Sequence, residues 1–437
     1  MRYGYFDDEK REYVVERVDA PFSMTNYLGT QRMGAVLSHN AGGYCWLDSP
    51  QYHRITRFRP NGVPMDWPGH YVYLRDDENG DFWSISWQPT GKSLAQANYA
   101  CRHGLSYSTY TCDYDGIQAS QTLFIPRERG GDDPVEIFDV RLCNHSDAPR
   151  TLSVFGYVEF SFHHIEMDQQ NFQMSLYATG SQYRDGAALC EYHYEENSWQ
   201  FFTASFDPDS FDGQRDTFIG AYHTERDPIG VQEGKLSGSF GPCGNPCGAL
   251  HKQLTLLPGE EKRILFYLGT GDEHAAKQGK IRYDAAGTDK AFDELKQWWD
   301  SKLSMLTVHT PHAKMNTSLN IWNLYQSEIN VLFSRFASFI EVGGRTGLGY
   351  RDTAQDAMCI PHAEPNGCKM RMEQLLHGQV SAGYGLQLFD PAWFEPQKQQ
   401  SFKSPTVVRT PEKSSMIHGL KDACADDALW LIPAILE

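Results

Sequence analysis

The spacing of apolar residues changes once along the chain. Apolar and polar residues alternate up to about residue 270, whereas apolar residues recur every three or four positions from about residue 289. Successive side chains point to opposite faces of a strand, while positions three and four apart share one face of a helix. The chain is therefore predicted to have a β region followed by an α region. Its 437 residues are enough for two or three domains, each with its own core.

The β region has the pattern of a large antiparallel sandwich. Residues 151–162 carry apolar groups on both alternating faces, which predicts a strand that is covered on each side. Trp83, Ile85 and Trp87 alternate with serines and indicate another strand. Asp115-Gly116 predicts a tight hairpin, because such turns need positive φ angles. Many strands separated by turn clusters, with no helical interludes, predict one sandwich over residues 1–270.

Helical spacing begins near residue 289, where Thr288 or Asp289 is predicted to cap a helix that extends to about residue 306. Further helices are predicted over 314–333, over 366–380 with Pro365 near the first turn, and over 422–436. Pro433 is expected to interrupt or end the last one. Residues 398–415 are polar and contain proline, which predicts a loop.

Charge and cysteine usage exclude several classes of protein. The chain has 39 Lys plus Arg against 56 Asp plus Glu, a net charge of −17, so nucleic acid is not an expected partner. It has no apolar run of about 18 residues, so no membrane span is predicted. The first ten residues are too polar and acidic for a signal peptide. Ten scattered cysteines without a leader are expected to be reduced thiols, which points to the cytoplasm.

The densest polar cluster lies at residues 334–356. It contains Arg335, Arg345 and Arg351, with four glycines at positions 343–349 around Arg345. Glycines allow a close approach of the backbone to a ligand, and the arginine fork matches phosphate or carboxylate geometry. In a chain of net charge −17, this cluster predicts a site for an anion or a polyol. Asp352 and Asp356, one helical turn apart, are suited to accept hydrogen bonds from sugar hydroxyls.

A structural alternative is open for the same residues. Arg335 and Arg351 could form ordinary ion pairs with Glu341, Asp352 or Asp356, and Asp352 could cap a helix.

Metal sites are weaker candidates. Cys243 and Cys247 have no second pair at a matching distance, and the group from His163 to Asp168 is predicted to lie on a strand, where neighbouring side chains point to opposite faces. No metal site is predicted.

Four segments of the chain form a recognisable combination: NYLG at 26–29, SHNAGGY at 38–44, RHGL at 102–105 and, above all, GRTGLGYRDTAQD at 344–356. Together they resemble the inverting disaccharide phosphorylases of the cellobiose and chitobiose type. The resemblance covers nearly the whole chain. FIEVGGRTG at 339–347 and AGYGLQLFDP at 382–391 are more similar to the branch that acts on N,N′-diacetylchitobiose.

This resemblance implies an N-terminal antiparallel β-sandwich over 1–270, a helical linker over 271–310 and, over 311–437, the first part of an (α/α)6 catalytic barrel. It implies reversible phosphorolysis with inversion, with inorganic phosphate as co-substrate and neither a metal nor an organic cofactor. It also implies that Arg335, Arg351 and Asp352 bind the sugar on the non-reducing side and that Arg345 binds phosphate.

One departure from the family pattern concerns the general acid, an aspartate in a Trp-Asn-Asp context. This sequence has no such tripeptide. The acid is therefore expected beyond residue 437, the chain is expected to be C-terminally truncated, and the 437 residues alone are expected to be inactive. The full-length protein is expected to be a homodimer. Cellobiose as the substrate and a non-catalytic sugar-binding fragment are the alternatives.

Overall fold

The structure is a computed structural model of the chain. It describes residues 2–29, 32–59, 66–127, 134–161, 164–170, 176–194, 198–333, 337–339, 343, 347–379, 384–389 and 426–436. The chain forms two compact units, residues 1–296 and residues 297–437. The predicted division at residues 270 and 310 into sandwich, linker and barrel stays a prediction.

Eighteen strands are found in the described part of the first unit. In chain order they are β1 (Gly4–Asp7), β2 (Glu12–Val15), β3 (Thr25–Gly29), β4 (Met33–Ser38), β5 (Gly43–Leu47), β6 (Tyr71–Asp76), β7 (Phe82–Ser84), β8 (Asn98–Gly104), β9 (Tyr107–Tyr114), β10 (Ile117–Phe124), β11 (Val135–Asn144), β12 (Arg150–Glu159), β13 (Thr179–Arg184), β14 (Ala187–Tyr192), β15 (Trp199–Ala204), β16 (Ser210–Gln214), β17 (Pro246–Leu256) and β18 (Glu261–Thr270).

These strands form an antiparallel sandwich, which confirms the predicted fold class for this region. One sheet has ten strands in the order β1-β2-β8-β9-β10-β11-β18-β15-β14-β13, and a second has five in the order β16-β17-β12-β6-β7. Strands β3, β4 and β5 form a third sheet. The predicted hairpin joins β9 to β10, with φ of 50° at Asp115 and 75° at Gly116, as a tight primed turn requires.

The core of this unit is rich in aromatic rings. Phe202 stacks on Phe266 with ring centroids 5.5 Å apart, and Phe138 lies 5.6 Å from Phe202. On the central strand β12, the neighbouring residues Val154 and Phe155 are both fully buried although their side chains point to opposite faces. The prediction of a strand covered on both sides is confirmed.

Two predictions for this region were wrong. Strand β7 ends at Ser84, so Ile85 and Trp87 do not continue it. The Ser84 hydroxyl donates to the Ser86 carbonyl at 2.8 Å and lies 2.9 Å from the Thr90 hydroxyl, and such local bonds compete with the ladder of a sheet. Helical interludes also exist, but they are too short to show a helical period: α1 (Ile165–Gln170), α2 (Arg215–Ile219) and α3 (Ile229–Glu233).

Two longer helices follow the strands, α4 (Glu273–Arg282) and α5 (Ala285–Leu303). The predicted cap of α5 at Thr288 or Asp289 was wrong. The Asp284 carboxylate, just before the helix, accepts a hydrogen bond from the Gly287 backbone N–H at 2.8 Å. This bond satisfies one of the unpaired N–H groups of the first turn, so the helix begins four residues earlier than the apolar spacing indicated.

The described part of the second unit is mainly helical, as predicted. Its elements are α6 (Ala313–Thr317), a π-helical turn (Ser318–Trp322), α7 (Asn323–Phe333), β19 (Leu348–Gly349), α8 (Tyr350–Ala357), α9 (Pro365–His377), β20 (Leu388–Phe389), a 3-10 turn (Asp427–Trp430) and α10 (Leu431–Leu436). Among the residues described in both units, no helix is long and apolar enough to cross a membrane.

The predicted helices of this unit agree with the structure except at the end of the chain. The helix expected over 314–333 is present, with a π-helical turn in its middle. Helix α9 begins at Pro365. Pro433 neither interrupts nor ends the last helix, because it lies in the first turn of α10, where a missing N–H costs little. The predicted loop at 398–415 and residues 422–425 lie outside the described residues.

Candidate active site

Three of the residues singled out from the sequence, Arg351, Asp352 and Asp356, lie on helix α8, whose start is held by a short antiparallel pair. Leu348 pairs with Phe389, and the Tyr350 backbone N–H donates to the Gln387 carbonyl at 3.2 Å. Gly347, just before this pair, has φ of 104°, a conformation that side-chain-bearing residues rarely adopt. The glycine-rich segment therefore reaches α8 by a turn that needs glycine at this position.

Arg351 and Asp352 lie side by side in the first turn of α8. Nη1 of Arg351 donates to both carboxylate oxygens of Asp426, at 3.2 Å each. The Trp430 indole N–H donates to the same carboxylate at 3.2 Å. The hydrogen bonds from Trp430 and Arg351 lower the pKa of Asp426, so this carboxylate is ionised at neutral pH. Local sequence patterns contain no signal for the Arg351–Asp426 pair, because its members are 75 positions apart.

Asp356 lies one turn after Asp352 on α8, as predicted, and is mostly buried. Asp427, in the 3-10 turn that packs against α8, is also buried. Beside them Tyr350 is fully buried, and its hydroxyl has no hydrogen-bond partner among the described residues. Burial, and then the nearby charge of Asp427, raise the pKa of Tyr350. The tyrosine therefore stays a neutral hydroxyl, which can donate a hydrogen bond at neutral pH.

The structural alternative proposed ordinary ion pairs or a helix cap for these residues. Arg351 forms an ion pair with Asp426, a residue that the alternative did not name. Gly349 occupies the N-cap position of α8, so Asp352 lies in the first turn instead of capping the helix. A carboxylate there is favoured by the helix dipole. Arg335, Glu341 and Arg345 lie outside the described residues, so the predictions about them stay predictions.

A buried ion cluster elsewhere in the second unit was missed by sequence reasoning. Lys302, at the end of α5, donates to Glu328 on α7 at 2.6 Å and to Glu364 before α9 at 2.7 Å. Its ammonium also lies 4.5 Å from the centroid of the Trp298 ring. Burial raises the pKa of Glu328, although Lys302 opposes the shift. The cluster links three helical segments and is assigned a structural role.

Glu364→Gln is expected to lower the free energy of unfolding by no more than about 1 kcal/mol, because Lys302 keeps Glu328 and the Glu364 side chain is about one-third exposed. Urea denaturation followed by circular dichroism measures this change. Glu373→Gln, which removes an exposed carboxylate that pairs with Lys369 at 3.9 Å, is the matched control. A loss well above about 1 kcal/mol, with the control unchanged, would contradict this prediction and mean that the Lys302–Glu364 pair is essential to the cluster.

The weaker metal candidates are not supported. Residues 165–170 are helical, so their assignment to a strand was wrong, and Asp168 accepts two hydrogen bonds from Arg57 at 2.8 and 3.1 Å. His163 lies outside the described residues. Cys243 is exposed whereas Cys247 is fully buried, and burial raises the pKa of the Cys247 thiol well above its usual value. A thiol held protonated is a poor metal ligand.

Cys45, His70 and Glu136 form a buried group whose ligand-type atoms lie within 4.8 Å of one another. Both ring nitrogens of His70 have partners already, Glu136 at 3.0 Å and the Thr56 hydroxyl at 3.1 Å. Burial raises the pKa of the Cys45 thiol well above its usual value. We therefore interpret the group as a hydrogen-bonded part of the core.

Comparison with known proteins identifies the family. The model of the glycosyl hydrolase 94 supersandwich domain matches residues 11–285, and that of the glycosyl hydrolase 94 superfamily catalytic domain matches residues 298–437. The chain belongs to the glycosyl hydrolase 94 family. The supersandwich match covers strands β2 to β18, and the catalytic match contains α8 with Arg351 and Asp352.

Two curated relatives match the whole chain. The N,N′-diacetylchitobiose phosphorylase of Vibrio proteolyticus is 54% identical over 442 residues, and that of Vibrio furnissii is 53% identical over 442 residues. Each alignment covers 100% of this chain and 55% of the relative, so the chain spans about half the length of these relatives. A solabiose phosphorylase of Paenibacillus borealis is 29% identical, over 87% of this chain and 48% of its own length.

Proposed function

We propose that this glycosyl hydrolase 94 chain acts in the reversible, inverting phosphorolysis of N,N′-diacetylchitobiose to N-acetyl-α-glucosamine 1-phosphate and N-acetylglucosamine. The observation that supports this most is the identity of 53–54%, across the whole chain, with two phosphorylases of that name. Inorganic phosphate is the co-substrate in this proposal. No organic cofactor or metal is needed for the reaction.

The chemistry explains why an arginine-rich site suits the reaction. A phosphate oxygen attacks the anomeric carbon, the glycosidic C–O bond breaks, and the leaving oxygen takes a proton from a general acid. An inverting hydrolase also needs a carboxylate base to activate water, whereas phosphate is already an anionic nucleophile. Cationic groups that hold phosphate in line therefore replace the second carboxylate.

In this proposal Arg351 and Asp352, together with Arg335, bind the sugar on the non-reducing side of the scissile bond, and Arg345 binds phosphate. Two features of α8 support the role of Arg351 and Asp352. The residues are adjacent in its first turn, and Asp426 holds Nη1 of Arg351 through both carboxylate oxygens. An arginine fixed in this way loses less side-chain entropy when it binds a ligand.

The test is an assay on a protein of the relatives' length that contains these 437 residues. With N,N′-diacetylchitobiose and phosphate, we expect N-acetylglucosamine 1-phosphate of α configuration, detected by phosphorus NMR, and a much lower rate with cellobiose. Because the sequence lacks the Trp-Asn-Asp context of the family's acid, we expect the 437 residues alone to give no robust turnover. Sugar release without phosphate, or a faster reaction with cellobiose, would contradict the proposal.

Arg345→Ala, in the same full-length protein, is expected to raise the KM for phosphate by about tenfold or more and to change the KM for the disaccharide much less. The substitution removes a charge-assisted hydrogen bond to the anion, typically about 1.5–3 kcal/mol. Initial rates with each substrate varied in turn measure the two constants. Equal increases in both would refute the assignment of Arg345 to phosphate.

We also propose a homodimer in a reducing, cytoplasmic compartment. The cysteines support the compartment, since the nine in the described residues are free thiols and several are fully buried. The dimer rests on the family resemblance. Light scattering of the full-length protein should give twice the mass of one chain, and a monomer mass would contradict the proposal.

A further inference from the structure

A second candidate site lies on the first unit, where the edges of two sheets meet. Strand β13 is the last strand of the ten-stranded sheet, and β16 is the first strand of the five-stranded sheet. Between them opens a cleft of about 520 Å³ lined by residues of β13, β14 and β16, by His193 and by residues 240–242. Small-molecule sites commonly have volumes of about 300–1,000 Å³, so the cleft can hold a ligand of disaccharide size.

Aromatic rings form the apolar part of the cleft. Tyr183 stacks on Phe211 with ring centroids 3.6 Å apart and planes 12° apart, and Phe240 lies 5.6 Å from Phe211. All three side chains are partly exposed. A Cβ atom at Gly213 would lie 2.1 Å from the Phe240 ring, so glycine there lets the ring settle on the strand. The rings are thereby held in place by β16 itself.

Polar groups line the same cleft. The Gln182 side-chain N–H donates to the Glu191 carboxylate at 3.3 Å, which links β13 to β14. Ser181 is held from both sides, because its hydroxyl accepts from the Gln214 side chain at 2.7 Å and from the Gly241 backbone N–H at 3.3 Å. The cleft is therefore lined by the Gln182 amide, the Glu191 carboxylate and aromatic rings, and hydrogen bonds between the strands hold these groups in position.

This combination favours a neutral, hydroxyl-rich ligand. Glu191 repels phosphate and other anions, although the lining also contains His193 and Arg184 donates to the Gln182 side-chain oxygen. Addition of a peptide strand to β13 is disfavoured too, since the Ser181 N–H already donates to the Gly241 carbonyl at 2.8 Å at this edge. Sugars, in contrast, offer C–H faces for aromatic rings and hydroxyls for amide and carboxylate groups.

We propose that the cleft of Tyr183, Phe211, Phe240, Gln182 and Glu191 is a saccharide-binding site, separate from α8, for β-linked sugars of disaccharide size. The choice of this sugar class rests on the proposed function. N,N′-diacetylchitobiose and cellobiose are the two probes, and their comparison shows whether the acetamido groups contribute to binding in the cleft.

Binding is measured by titration calorimetry in full-length protein that carries Asp352→Asn. Phosphate is left out, which prevents phosphorolysis, and the substitution weakens sugar binding at α8. Phe240→Ala and Glu191→Gln are each expected to raise the Kd of at least one probe by about three- to tenfold, through loss of a ring contact and of a charged acceptor respectively. Phe22→Ala and Glu233→Gln, which change exposed residues outside the cleft lining, are the matched controls and should leave Kd unchanged.

Two results would overturn the proposal: no saturable binding of either probe at millimolar concentrations, or binding that neither cleft variant weakens. Because Phe240→Ala could disturb β16, the milder Glu191→Gln, which keeps the shape of the side chain, decides in that case. The proposed function fails by a different result, namely no phosphorolysis by the protein without substitutions, so the two failures can be told apart.

Discussion

Glu159→Ala is expected to lower the free energy of unfolding by about 3–5 kcal/mol, the usual cost of removing one partner from a buried ion network. Glu159 is fully buried at the end of β12. Its carboxylate accepts hydrogen bonds from Arg215 at 2.6 Å, Arg59 at 2.9 Å and the Tyr157 hydroxyl at 3.1 Å. Alanine at this position would remove the carboxylate that accepts from the Arg59 and Arg215 guanidinium groups and leave their charges without this partner.

The same network predicts acid sensitivity. Burial alone would raise the pKa of Glu159, but the attraction of Arg59, Arg215 and Arg57 outweighs burial and lowers that pKa far below its usual value. A depressed pKa in the folded state means that the stabilisation is fully present above the unfolded pKa of about 4.3 and is lost as the pH falls below it. Wild-type stability should therefore decline below about pH 4.3 more steeply than that of Glu159→Ala.

Chemical denaturation followed by circular dichroism, at neutral pH and at acidic pH, measures both effects. Glu261→Ala is the control, since that side chain is 57% exposed and lies 3.5 Å from Arg141. If Glu159→Ala cost no more than this exposed substitution, the network would contribute little to folding. An unchanged pH dependence would contradict the assigned role of Glu159 in acid sensitivity.

Asp352→Asn, in the full-length protein, is expected to lower kcat/KM for phosphorolysis by about 10- to 100-fold. The substitution keeps the shape of the side chain but removes the negative charge, and charge-assisted hydrogen bonds are worth about 1.5–3 kcal/mol. Stability should change little, because the residue is only partly buried and its interaction with the helix dipole is worth about 0.3–1 kcal/mol.

Steady-state kinetics and thermal unfolding are measured on the same preparations. Asp293→Asn, which changes an exposed aspartate on α5, should alter neither. Unchanged kinetics would remove Asp352 from the sugar site. A collapsed melting temperature together with lost activity would favour a structural role instead.

The periodicity of apolar residues was sufficient to predict the order of the β and α regions along the chain and most of the longer helices. The pattern of residues 151–159 correctly predicted a strand buried on both faces, and the spacing over 314–333 correctly predicted a helix. It was insufficient for element ends. Strand β7 stops at Ser84 and α5 starts at residue 285, because local side-chain hydrogen bonds decide those ends: the Ser84 hydroxyl donates to the Ser86 carbonyl, and the Asp284 carboxylate accepts from the Gly287 N–H.

For the candidate site, the sequence by itself determined which residue types stand together, since Arg351, Asp352 and Asp356 are neighbours along one helix. It also determined the resemblance to phosphorylases through the motif at 344–356. Only the tertiary structure decided that Asp426 pairs with Arg351, that Lys302 joins Glu328 to Glu364, and that the edges of two sheets frame an aromatic cleft. These contacts join residues 26 to 75 positions apart, and local patterns cannot specify which distant charges and rings the folded backbone brings together.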